Sequence, residues 1–111
     1  MDLQSIYDEN YYSYYNTDLG HISYDRSNSY WLCFFGNIAD KIIKDIKPKT
    51  VLDVGCEKGF LVESFRDRGV EAFGIDISEY AISEVRQDIK SIVKLLRQPK
   101  IRWPVRFNYL H

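Results

Sequence analysis

From Thr50 to Ala81 the chain reads Thr50-Val-Leu-Asp-Val-Gly-Cys-Glu-Lys-Gly-Phe-Leu-Val-Glu, then Gly69-Val-Glu-Ala-Phe-Gly-Ile-Asp-Ile-Ser. The order is a buried apolar strand (Val51, Leu52, Val54), a turn with Gly55 and Gly59, a helix from Phe60 to Arg68 stopped by Gly69, and a second strand ending in Asp76. This is the front half of a nucleotide-binding βαβ unit. Such a turn brings backbone N–H groups to the start of a helix, where a polar ligand can come close. Asp76 stands twenty-three residues after Asp53, where a carboxylate suits the two hydroxyls of an adenosine ribose. The bland alternatives are an ordinary tight turn, a surface or helix-capping acid at Asp76, and a buried acid at Asp53 that caps the amides of its own turn. Ser78 is the better cap for the next helix.

At these residues the chain resembles the class I S-adenosylmethionine-dependent methyltransferases, whose first motif is commonly acid-x-Gly-x-Gly-x-Gly. Here it is Asp53-Val-Gly55-Cys56-Glu57-Lys58-Gly59, with Glu57 in place of the middle glycine. A carboxylate there would repel the pyrophosphate of a dinucleotide, whereas S-adenosylmethionine carries a sulfonium and an ammonium. The resemblance implies an α/β, Rossmann-like methyltransferase fold. It also implies donor-binding positions at Asp53, Gly55, Cys56, Gly59, Asp76 and Ile77, with S-adenosylmethionine as methyl donor and S-adenosylhomocysteine as product. Asp53 would order the turn and meet the donor's ammonium through water, and Asp76 would take the ribose hydroxyls. Glu57 and Lys58 read as solvated turn residues. Methyl transfer from a sulfonium is an in-line displacement that needs alignment more than a nucleophilic triad. Catalytic residues and the acceptor are not readable, because O-, N- and C-methylating members share this motif.

Upstream, Ser29 is placed to cap a helix whose apolar residues Trp31, Leu32, Phe35, Ile38, Ala39, Ile42, Ile43 and Ile46 recur at steps of three and four. Lys47-Pro48 ends it. The run Ile38 to Asp53 looks like the helix and first strand of the same family, and the likeness covers about 24–88. Before it lies an aromatic, acidic flap over 1–28 that holds six of the nine tyrosines. Leu3, Tyr7, Tyr11, Tyr14 and Tyr15 predict one side of a short helix. It would serve as a cover for the sheet edge or as a lid on the donor pocket.

A complete sheet of this family has seven strands, more than 111 residues with two clear strand signals can supply. The expected architecture is therefore truncated: N-terminal helices, then β-α-β-α, in one incomplete domain with a family-like core at 29–90. Ala81, Ile82, Val85, Ile89, Ile92, Val93 and Leu96 predict a helix over 78–97, stopped by Pro99. The segment 91–111 reads as a non-family C-terminus left by truncation or a shifted frame. From Arg86 onward there are seven Lys or Arg and one acid, against five acids and one Arg before Asn28. With Trp103, Phe107 and Tyr109 this basic tail suggests a nucleic-acid contact, but a net charge of −1 gives a polyanion no overall attraction.

A hydrophobic content of 45% suffices for one core, and no run of about eighteen apolar residues is present to span a bilayer. With no secretory signal, the expected setting is cytoplasmic. Cys33 and Cys56 read as small buried residues, and His21 and His111 have no partner at metal-ligand spacing. Half a sheet leaves its first strand unpaired, so self-association through that edge is expected. The rival functions are a non-catalytic remnant that binds an adenosyl ligand or a partner, and a NAD-binding oxidoreductase fragment.

Overall fold

The computed structural model describes residues 3–9 and 24–96. A short helix, Leu3–Ile6 (α1), precedes the long helix Ser29–Ile46 (α2). The cap of α2 is Asn28 and not Ser29: Asn28 has extended backbone and its side chain accepts the Tyr30 N–H at 2.9 Å. Lys47 closes the helix in the left-handed region at φ 52°, returning its N–H to the Ile43 carbonyl at 3.0 Å just before Pro48.

Two parallel strands follow, Thr50–Val54 (β1) and Glu71–Asp76 (β2), joined by the helix Phe60–Asp67 (α3). Their register pairs Asp53 with Gly74 and Val54 with Ile75. Gly69 ends α3 in a Schellman turn: the Gly69 N–H reaches the Arg66 carbonyl and the Val70 N–H the Phe65 carbonyl, both at 3.0 Å. Helix α3 buries Phe60, Val62 and Phe65 almost completely. Val62 and Phe65 meet Ala39 of α2, Ala72 of β2 and Cys56 of the glycine turn in one core, while Phe60 joins Tyr24, Trp31 and Ala81 in a second.

After β2 the structure departs from the helix predicted over 78–97. It has the short helix Glu79–Ser83 (α4), a 3₁₀ helix Gln87–Ile92, and a third strand Val93–Leu95 (β3) parallel to β2. The apolar spacing satisfies a helical period, but tertiary contacts win. Arg86 takes extended backbone and its guanidinium grips Asp67 of α3 at 2.7 and 2.8 Å. The β-branched Ile92 and Val93 then run onto the open edge of β2, whose backbone needs partners; the Leu96 N–H reaches the Asp76 carbonyl at 2.8 Å.

The strand order β1-β2-β3 puts β2 in the middle and leaves β1 hydrogen-bonded to β2 alone among the described residues. The expected buried first strand is therefore only half-buried, and Val54 is 70% exposed. Cys33, read as a core residue, lies exposed on α2. Among the described residues no helix is long and apolar enough to cross a membrane, and no group of three His, Cys, Asp or Glu side chains is placed to hold a metal. Tyr11, Tyr12, Tyr14, Tyr15, both histidines and the aromatic residues of the tail lie outside the described residues.

Candidate functional site

The carboxyl ends of β1 and β2 bring the sequence-selected residues together. Gly55 at φ 79° turns the chain out of β1, and its α-carbon faces open space: a side chain there would meet nothing within 4 Å. The N–H groups of Gly55 and Cys56 are not free for a ligand, because both donate to the Ile75 carbonyl, at 2.8 and 2.9 Å. What Gly55 offers is room. Gly59 at φ 77° has a different reason to be glycine, since a Cβ would sit 3.0 Å from Ile89 Cδ1 and 3.1 Å from Val85 Cγ1. It packs the turn onto the 3₁₀ segment. The Cys56 thiol is buried against Gly74, and burial pushes its pKa far up, which leaves it a small apolar filler.

Asp76 joins the two loops that frame the site. It is 8% exposed; one carboxylate oxygen accepts the Glu57 N–H and the other the Ser78 N–H, both at 2.8 Å. The turn-capping task that the sequence offered to Asp53 thus falls to Asp76, and a carboxylate's two oxygens keep further lone pairs for another donor. Ser78 caps α4, accepting the Ala81 N–H at 3.0 Å. Asp53 is half-buried, and among the described residues no hydrogen bond to its carboxyl offsets the cost of that burial. Desolvation raises its pKa from the ordinary value to about 6, with repulsion from Glu57 and Asp76 adding to the rise.

Two residues left to solvent by the sequence reading prove to be built in. Lys58 is 4% exposed, donates to the Tyr24 carbonyl at 2.7 Å, and lies 5.3 Å from the centre of the Tyr80 ring. Burial lowers its pKa, while Glu84, Asp25, Glu9 and Glu57 act against that. Glu57 adopts the left-handed conformation at φ 53° and its carboxylate accepts the Tyr24 hydroxyl. Burial raises the Glu57 pKa and this hydrogen bond pulls it back. Tyr24 itself is 4% exposed, edge-on to Trp31 and Phe60 at 4.7 and 5.2 Å. No sequence period marks it, since its neighbours in the flap are tyrosines too. Beside it, Asp25, Arg26, Ser27, Lys58 and Glu84 line an open cleft of about 390 Å³.

The N-terminal segment docks on the other loop. The Gln4 carboxamide donates to the Ile77 carbonyl and accepts the Glu79 N–H at 2.6 Å, and the Ser78 hydroxyl donates to the Tyr7 carbonyl. Ile77, half-buried, thus lies beside Gln4 of the N-terminal segment, immediately after Asp76.

A family model described as a methyltransferase domain matches residues 24–108. The match runs well past 88, where the sequence likeness was placed to end. The chain is 48% identical over 46 residues to a ubiquinone biosynthesis O-methyltransferase of Nitrosomonas europaea, covering 41% of this chain and 20% of that protein. It is 53% identical over 38 residues to a protein of the same name from an Azoarcus species, covering 34% and 16%. A solved structure, that of MccD protein, shares 32% identity at a TM-score of 0.40 over 51% of this chain and 29% of its own. The alignments thus span at most a fifth of the length of these curated relatives.

Proposed function

Because this chain belongs to the methyltransferase domain family, we propose that its loops 55–59 and 76–79 bind S-adenosylmethionine and that the protein transfers the methyl group of that donor to an acceptor. The observation that carries the reading is Asp76, held by one amide from each loop beside the open face of Gly55. Asp76 would receive the ribose hydroxyls on its remaining lone pairs. Gly55 would let the methionyl part lie against the turn, with Asp53 opposite its ammonium. Ile77 would pack on the adenosyl group, and Cys56 and Gly59 would serve through the packing that holds the turn in place. The donor supplies an already activated leaving group, so these residues bind and align.

Charge supports this donor over a dinucleotide. Burial raises the pKa of Asp53 to about 6, and repulsion from Glu57 and Asp76 adds to that rise. A cation relieves that repulsion, and a pyrophosphate would add to it. The chain, its fold checked by circular dichroism, is expected to bind S-adenosylhomocysteine at micromolar concentration in calorimetry and to ignore NAD. A folded sample that binds neither ligand, or prefers NAD, would sink the proposal.

The raised Asp53 pKa also predicts how binding depends on pH. Below about 6 the free chain holds a proton on Asp53, and a ligand ammonium must displace it. Affinity should therefore fall as pH drops through 6, by about tenfold between pH 7 and pH 5. A flat profile over that range would remove Asp53 from the site. For stability the sign is opposite. A carboxyl whose folded pKa is raised opposes folding above about 6, and this opposition fades as pH falls towards the unfolded value of 3.8.

A further inference from the structure

Glu57 is an odd resident of the glycine turn. It occupies a left-handed backbone position, φ 53°, that favours glycine, and it brings a third carboxylate to a turn already flanked by Asp53 and Asp76. Its N–H is committed to Asp76 at 2.8 Å. Its carboxylate is committed to the Tyr24 hydroxyl. The next residue is drawn the same way, with the Lys58 amine on the Tyr24 carbonyl at 2.7 Å. Tyr24 is in turn immobilised: it is 4% exposed and packed edge-on between Trp31 and Phe60, which begin α2 and α3. One buried residue from outside the βαβ unit thus grips two consecutive side chains of the turn.

We propose that Tyr24 is a positioning residue of the methyl-donor site: by drawing Glu57 and Lys58 towards the aromatic cluster, it keeps the Glu57 carboxylate off the open face of Gly55 and fixes the Glu57 N–H on Asp76. The inference rests on the donor-binding reading above and adds a residue to it. Without the hydroxyl, Glu57 loses the hydrogen bond that favours its ionised form while burial and the Asp76 charge remain. The untethered side chain then either takes up a proton or turns back towards Asp53. Both outcomes disturb the site that receives the donor. Among the described residues the charged groups facing Glu57 are Asp53, Lys58 and Asp76.

The test uses the whole chain, calorimetric titration with S-adenosylhomocysteine between pH 5 and 8, and thermal melts. Tyr24→Phe keeps the ring and its packing, so the chain should fold. Its affinity should drop about fivefold, and the pH at which affinity is half lost should rise. Adding Glu57→Gly, which removes the side chain and suits the left-handed turn, should cancel the effect of the lost hydroxyl: the double variant should bind within about twofold of Glu57→Gly alone and with the same pH profile. Glu57→Gly alone provides the second background: there, losing the Tyr24 hydroxyl should change nothing. The proposal is overturned if Tyr24→Phe binds like wild type, or if its defect persists in the Glu57→Gly background, which is the mark of a merely structural tyrosine. Wild-type chain that is folded yet does not bind overturns the donor-binding reading and this inference with it. Wild-type binding with an inert Tyr24→Phe change overturns this inference alone.

Discussion

Asp76→Ala should weaken binding of S-adenosylhomocysteine by about 5- to 150-fold, corresponding to about 1–3 kcal/mol for buried polar groups left without partners. Two separate losses are combined in this change. In the free chain the Glu57 and Ser78 amides lose the acceptor they each meet at 2.8 Å, so the glycine turn and the β2-end turn are no longer tied together. In the complex the ribose hydroxyls also lose their acceptor. Asp76→Asn separates the two losses. An asparagine can accept through only one oxygen, and its NH₂ group confronts one of the two amides as a donor. It should therefore destabilise the free chain by about 1–3 kcal/mol, measured by urea titration, and weaken the ligand as well. If Asp76→Ala lowers stability but leaves the dissociation constant unchanged, Asp76 is a structural tie and the ribose contact must be abandoned.

Gly74→Ala should be the most damaging single methyl in the sheet. A Cβ at this central position of β2 would lie 2.8 Å from both Cβ and Sγ of Cys56 and 2.9 Å from Val62 Cγ2. One of these atoms, Cys56 Cβ, is fixed by the backbone itself, and both neighbours are buried, Cys56 at 5% and Val62 at 0% exposure. Neither can give way cheaply, because the core around Cys56 also holds Phe65 and Ala72. Overpacking of this kind costs about 1–3 kcal/mol, or about 4–8 °C of melting temperature per kcal/mol for a domain of this size. Cys56→Gly with Gly74→Ala should recover part of that loss, since it removes both Cys56 atoms from the clash. A Gly74→Ala chain that melts at the wild-type temperature would mean that β2 and the turn above it are not packed this closely.

The elements readable from residue order were those specified by local rules. Val51-Leu-Asp-Val followed by Gly55 means strand then turn in almost any context, and Gly69 ends α3 by a backbone geometry that an L side chain resists. Asp76 closes β2 where expected, two residues before the cap Ser78. The segment after Ser83 was not readable. Its apolar residues fit a helix as well as a 3₁₀ turn leading into a strand, and period alone cannot choose between them when Ile and Val dominate. Arg86 decides it by closing on Asp67 of α3, a residue nineteen positions earlier that comes near only after folding.

The division within the site has the same origin. The composition of the motif places two acids and a glycine turn at two adjacent strand ends, because strands, turns and caps depend on neighbours within a few residues. Which acid caps the turn depends on the parallel register, and that register brings Asp76 and not Asp53 to the Glu57 amide. The burial of Lys58 and the tether on Glu57 depend on Tyr24, more than thirty residues upstream. A lysine and a glutamate beside glycine are by local rule solvated; only an aromatic cluster assembled from distant segments can take them out of water and supply the hydrogen bonds that burial demands.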